Sequence, residues 1–257
     1  MLPALGALVA LAVAVAVLVV GRDGQDPTPS SSDGSPAVPA TSLAPTTRPP
    51  RPTGFDLARY SLTDPDSPWV VVNKRNPLDP LDHVPELVSA DVAHDAEPPL
   101  LRPEAARAIE ELFAAYRAEA GGELLAQSNY RSFETQQAIY EGFVRRNGQA
   151  WADVSSARPG HSEHQTGLAT DLTTTGGRCT LDACFADTPA GRWLADNAWR
   201  FGWILRYPEG QVEVTGFKFE PWHYRYVGRD LAREMHVRGV GTLEEMFGLP
   251  AAPSYDR

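Results

Sequence analysis

Ser162-Glu163-His164-Gln165-Thr166-Gly167-Leu168-Ala169-Thr170-Asp171, joined further along by Glu220-Pro221-Trp222-His223, carries more chemistry than any other part of this 257-residue chain. Together the two stretches offer two imidazoles, His164 and His223, and the Asp171 carboxylate to hold a metal ion. The Glu220 carboxylate is left over to take a proton. Three protein ligands, an open fourth position and a base beside it are what a catalytic zinc site requires.

The spacing limits how such a site is built. Two ligands seven residues apart on one helix would lie about 10 Å apart along its axis, too far to share an ion. Gly167 between them suits a sharp turn, and residues 168–173 then alternate as a strand does. The expectation is His164 on a loop and Asp171 on a short strand, with the small Ala169 leaving room for the ion. Residues 217–227 are aromatic-rich and strand-like. In a regular strand Glu220 and His223 would point to opposite faces, so the metal reading requires Pro221 to break the ladder. Each residue alone has a plainer reading. A lone histidine is more often packed core than ligand, a lone carboxylate is usually solvated, and Trp222 reads first as core. His83, His94, His161 and His236 stay in that class. The combination at paired spacing is what argues for a metal.

Residues 157–172 resemble the signature of VanY-type D-alanyl-D-alanine carboxypeptidases. The S-x-H-x-x-G-x-A-x-D pattern falls on Ser162, His164, Gly167, Ala169 and Asp171, and E-x-W-H falls on Glu220, Trp222 and His223. A third element, Y-R-S-x-x-x-Q, falls on Tyr130, Arg131, Ser132 and Gln136. The likeness runs in order from about residue 69 to residue 247. It implies zinc held by His164, Asp171 and His223, and hydrolysis of the terminal D-Ala-D-Ala bond of peptidoglycan stem peptides. Glu220 would serve as general base and then acid, and Arg131 would stabilise the developing oxyanion. Ser128, Ser132, Gln136 and Ser162 are within motif reach of the stem peptide, whose terminal carboxylate needs a partner, and Trp222 would form an apolar wall. Asn129 stands where many relatives have glycine; asparagine tolerates the left-handed conformation, so the turn is expected to survive. The rival readings are an L,D-carboxypeptidase or an endopeptidase on the same scaffold, and a silent module that binds stem peptides without cutting them.

The remaining roughly 200 residues suit one domain, residues 54–257, of the α+β class, with helices packed on a mostly antiparallel sheet. Helices are predicted over Pro103–Ala120, 132–146 and 188–199, with a capping box at Thr242 and Glu245 opening a short last one. Short strands are predicted at 69–72, 124–128, 168–173, 203–206 and 217–227. Ahead of the domain, residues 2–20 are an unbroken apolar run of bilayer-spanning length. Residues 1–21 therefore read as an uncleaved transmembrane signal anchor. Arg22 alone would argue the opposite orientation, but the implied substrate puts the domain outside the cell. Residues 22–53, rich in Pro, Ser and Thr, read as a disordered tether.

Cys179 and Cys184 are the only cysteines. Two thiols alone make an incomplete zinc site, and outside the membrane a disulfide is the better reading. A net charge of −10 with no basic stripe argues against nucleic-acid binding. No obligate protein partner is expected; the partners are stem peptides and, through the anchor, a membrane.

Overall fold

The computed structural model describes residues 54–177 and 179–255, so the expected anchor at 1–21 and linker at 22–53 lie outside the described residues. Among the described residues no helix is long and apolar enough to cross a membrane.

Helix α1 (Pro103–Ala120) has the predicted limits: Pro103 occupies the first turn, and Gly121 at φ 70° closes the helix by donating to the Arg117 carbonyl. Its Ile109, Leu112, Phe113 and Tyr116 face the main core. Before it, β1 (Val88–Ser89) and β2 (Leu100–Leu101) form a two-residue antiparallel pair. After it come β3 (Leu124–Ser128), α2 (Phe133–Asn147) and α3 (Gln149–Ser155). Ser132 caps α2 by accepting from the Thr135 amide at 3.2 Å. Strand β4 (Ala169–Thr174) is followed by α4 (Pro189–Asn197), which Thr188 caps as expected by accepting from Gly191. The rest is β5 (Trp203–Leu205), α5 (Val212–Thr215), β6 (His223–Tyr226), α6 (Arg229–Arg238) and α7 (Leu243–Phe247).

Strands β3, β4, β6 and β5 lie in that order in one sheet, every pair antiparallel. Buried residues of α1, β3, β4 and α4 share one core cluster, while Trp69, Val71, Leu231, Met235 and Leu243 form another. The α+β expectation holds for the described domain.

Two strand expectations need correction. Residues 69–72 join no ladder, and Trp69 lies in a turn. Their alternation is real: Val70 and Val72 enter the main core while Trp69 and Val71 enter the other. The Val70 carbonyl is taken by the Arg225 guanidinium at 2.9 Å, and the Val71 amide donates to the Leu62 carbonyl at 2.9 Å. The segment thus satisfies its backbone without a partner strand. The strand expected at 217–227 is paired only at His223–Tyr226, because Pro221 interrupts it.

The Cys179–Cys184 disulfide is present, with Cα atoms 5.5 Å apart, in the excursion between β4 and α4. Its five-residue separation makes its expected stabilisation small.

Candidate metal centre and active-site cavity

Antiparallel register sets Asp171 of β4 directly across from His223 of β6. Facing residues in such a pair bring their Cβ atoms to about 5 Å, so two donors distant in sequence become neighbours. His164 arrives from a 3-10 turn over Glu163–Thr166, which Gly167 ends at φ 66°. The expected loop is therefore helical, and the left-handed glycine reverses the chain into β4 as its freedom at positive φ allows. A Cβ on Gly167 would also sit 2.9 Å from Leu87 Cδ2. One donor atom from each of His164, Asp171 and His223 lies within 4.8 Å of the others, and all three residues are buried.

The hydrogen bonds around these rings decide which nitrogen faces the metal. His164 Nδ1 lies 2.7 Å from the Asn129 carbonyl, which can only accept, so Nδ1 carries the proton and Nε2 is free to ligate. His223 Nε2 is 3.4 Å from Glu163 Oε2, and its Nδ1 is 3.1 Å from Asp171 Oδ1. Glu163 therefore orients His223 from behind, leaving Nδ1 toward the shared centre. Burial works against a charge on His223, but the Asp171 and Glu163 carboxylates outweigh it and raise the imidazole to about 9. Burial would likewise raise Asp171, yet His164 and His223 hold it well below the usual carboxylate range. The pocket favours positive charge at its centre, and two imidazoles with one carboxylate are donors zinc accepts. The residues fit the ion.

Glu163 was not foreseen. It is fully buried and shared by Arg206 Nε and Arg225 Nη1, both at 2.9 Å to Oε1. Arg206 also forms a two-pronged pair with Glu244 of α7, at 2.7 and 2.9 Å, and Asn73 donates to Glu244 at 2.9 Å. Beside a motif histidine, an acidic residue gives no sign in sequence that two distant arginines will enclose it.

Glu220 and His223 meet through a turn: the His223 amide donates to the Glu220 carbonyl at 3.0 Å. The Glu220 amide donates to the Tyr207 carbonyl at 3.1 Å, so β5's continuation fixes the base. The distortion required at Pro221 is therefore present. Burial pushes the Glu220 carboxyl up to about 7, opposed by His223 and reinforced by the Asp171 charge. A base near neutrality is suited to taking and returning a proton.

These groups line a cavity of about 310 Å³ with Arg131, Gln136, Ser162, Tyr207 and Trp222. Arg131 donates its amide to the His164 carbonyl at 3.2 Å, and its buried Nε has no partner among the described residues. Burial lowers the Arg131 pKa, with Asp171 and Glu220 acting against it. Gln136 is oriented by chemistry: its Nε2 donates to the Ala157 carbonyl at 2.6 Å and to Ser156 Oγ at 3.1 Å. That leaves Oε1 buried without a partner, so Gln136 offers the cavity an acceptor and not a donor for a carboxylate. Ser162 and Trp222 line the cavity, and Trp222 is also part of the main core. Ser128 is corrected: it is not among the lining residues, and after a bulge in β3 its backbone pairs with Asp171. Asn129 is corrected in reason, since among the described non-glycine residues Leu181 alone has positive φ. Its carbonyl accepts from His164, and its side-chain oxygen accepts from Thr170 Oγ1 at 2.8 Å. Tyr207, unforeseen, packs its ring 4.8 Å from that of His223.

Comparison with known proteins places this geometry. YodJ of Bacillus subtilis (strain 168) is 38% identical over 192 residues, spanning 73% of this chain and 69% of that protein. The structure of the LdcB LD-carboxypeptidase aligns with a TM-score of 0.66 and 39% identity, over 72% of this chain and 87% of that one. That of the vancomycin-resistance D,D-pentapeptidase VanY from a VanB-type cassette, a mutant in complex with Zn(II), aligns at 0.58 and 34%, over 68% and 96%. The family described as VanY, D-alanyl-D-alanine carboxypeptidase, matches residues 98–229, from just before α1 to the first residue of α6. With both halves of the metal-binding motif inside that span, the chain belongs to the VanY D-alanyl-D-alanine carboxypeptidase family.

Proposed function

We propose that this protein is a zinc-dependent D,D-carboxypeptidase that releases the terminal D-alanine of peptidoglycan stem peptides. The observation that carries the reading is the Glu220 carboxylate, brought by the Pro221 turn beside a buried His164, Asp171 and His223 triad in one cavity. A silent binding module has no use for a base there.

His164, Asp171 and His223 would hold the zinc ion, which would supply Lewis-acid activation of water and of the amide carbonyl. Glu220 takes the proton of the attacking water and passes it to the departing amine nitrogen. Arg131 meets the negative charge that develops on the carbonyl oxygen, at a place where few waters compete. Arg131 Nε and Gln136 Oε1, without partners among the described residues, are a donor and an acceptor for peptide groups to fill. Glu163 and Asn129 take no part in proton transfer; they keep the two imidazoles aimed.

An extracytoplasmic location belongs to the same reading. It is supported by the apolar run at 2–20 as a membrane anchor and by the disulfide, which persists in oxidising surroundings.

The full chain, loaded with zinc and given a pentapeptide ending in D-Ala-D-Ala, is expected to release one D-alanine, identified by mass spectrometry. A chelator should abolish release and added zinc restore it. Cleavage of a tetrapeptide in place of the pentapeptide would make it an L,D-enzyme; no cleavage of either would leave a binding module. In the same assay Arg131→Ala should lower kcat by about 10²–10³-fold. A kcat within about threefold of the parent would remove Arg131 from charge stabilisation.

A further inference from the structure

We propose that Phe143, Trp151 and Lys218 form a subsite for the part of the peptide preceding the scissile bond, favouring a residue there with a free carboxylate. The proposal rests on the peptidase reading and concerns the same cavity.

The three residues line the same cavity as the metal donors. Phe143 on α2 and Trp151 on α3 hold their ring centroids 5.4 Å apart. Trp151 remains 42% exposed, an open aromatic face beside a reaction centre. Such a face packs well against peptide planes and methylene chains. Lys218 Nζ lies 5.5 Å from the centre of the Trp151 ring, and its backbone amide donates to the Val154 carbonyl at 3.3 Å. The segment that leads to Glu220 is thereby pinned to α3. Along it, Lys218 and Glu220 face the catalytic cavity while Phe219 between them lines a separate one with Pro221 and Tyr224. The base and the ammonium are thus presented from one side of one short segment.

Charge gives the ligand class. The chain carries a net −10, and its catalytic cavity contains the carboxylates of Glu163, Asp171 and Glu220. Arg131 and Lys218 are the Lys and Arg residues that line it. Arg131 lies beside the metal donors, with its amide on the His164 carbonyl, whereas Lys218 is solvent-exposed and, among the described residues, feels the Glu220 carboxylate at longer range without forming a close ion pair. A peptide running from the metal donors outward over Trp151 would bring an upstream acidic group to that ammonium.

The test compares two pentapeptides ending in D-Ala-D-Ala, identical except that one upstream residue carries a carboxylate or its carboxamide. With the zinc-loaded full chain, the acid form is expected to have the lower KM by about two- to fivefold, the size of a solvent-exposed ion pair. The ratio should fall to about one in Lys218→Met, and in the parent it should shrink as salt is raised. Trp151→Ala should raise KM for both peptides by about three- to tenfold. A preference that persists undiminished in Lys218→Met overturns the carboxylate assignment, and an unchanged KM in Trp151→Ala overturns the aromatic wall. If the parent cleaves neither peptide, it is the reaction reading that fails.

Discussion

Glu220→Gln is expected to lower kcat on a D-Ala-D-Ala-terminated pentapeptide by about 10²–10⁴-fold, the range for removing a positioned general base. Zinc content and KM should stay near the parent values. Glutamine keeps the shape and the hydrogen-bonding reach but has no pair of electrons basic enough to take the proton. The ligands lie elsewhere: His164 is oriented by Asn129, His223 by Glu163, and Asp171 by the β4–β6 register. The two effects therefore separate cleanly. Retained turnover with zinc bound would show that another group takes the proton. Loss of zinc together with turnover would mean that Glu220 helps to hold the ion.

Arg206→Met is expected to cost about 3–5 kcal/mol of folding stability, the usual penalty for removing one partner of a buried ion pair. Arg206 has no exposed surface and binds Glu163 on one side and Glu244 on the other. Methionine fills much of the volume but leaves Glu244 without a cation, held by Asn73 and its own backbone amide, and Glu163 with Arg225 and His223. Urea denaturation of the parent, Arg206→Met and Arg206→Met/Glu244→Met would measure the loss and its partial recovery when the stranded carboxylate goes too. A single-variant loss below about 1 kcal/mol would mean that the network adds little. The same pair predicts acid sensitivity. Burial would raise Glu244, but Arg206 holds its pKa below the ordinary value. Its contribution is then fully present above the unfolded carboxyl pKa, near 4.3, and fades as pH falls through the lower folded value.

The chemistry of the site was legible because it depends on residue types at short range. His164 and Asp171 could not share an ion on one helix, so a turn at Gly167 and a strand after it followed from the spacing, and Pro221 forced the break that brings Glu220 round to His223. Helix α1 was legible to its last residue, since Pro103 and Gly121 mark its ends and its apolar stripe is unbroken. Helices α3, α5 and α6 were not foreseen. In α3, seven residues long, the only fully buried residue is Ala152, too little for a helical stripe to show. The segment at 69–72 alternates between two cores as a strand would, and no local signal tells a ladder from a stretch whose Val70 carbonyl is taken by a distant side chain.

Local residue chemistry pointed to the candidate metal donors and base, the motif resemblance pointed to the family, and periodicity pointed to the broad α+β class. Long-range packing alone decided that Asp171 faces His223, that two arginines enclose Glu163, and that Lys218 stands over Trp151. The physical reason is the range of the forces that write each pattern. Turn geometry and periodicity act between neighbours and leave their mark in consecutive residues. Register, buried ion pairing and ring contacts join residues 43 to 67 positions apart here, and nothing in the identity of either partner names the other.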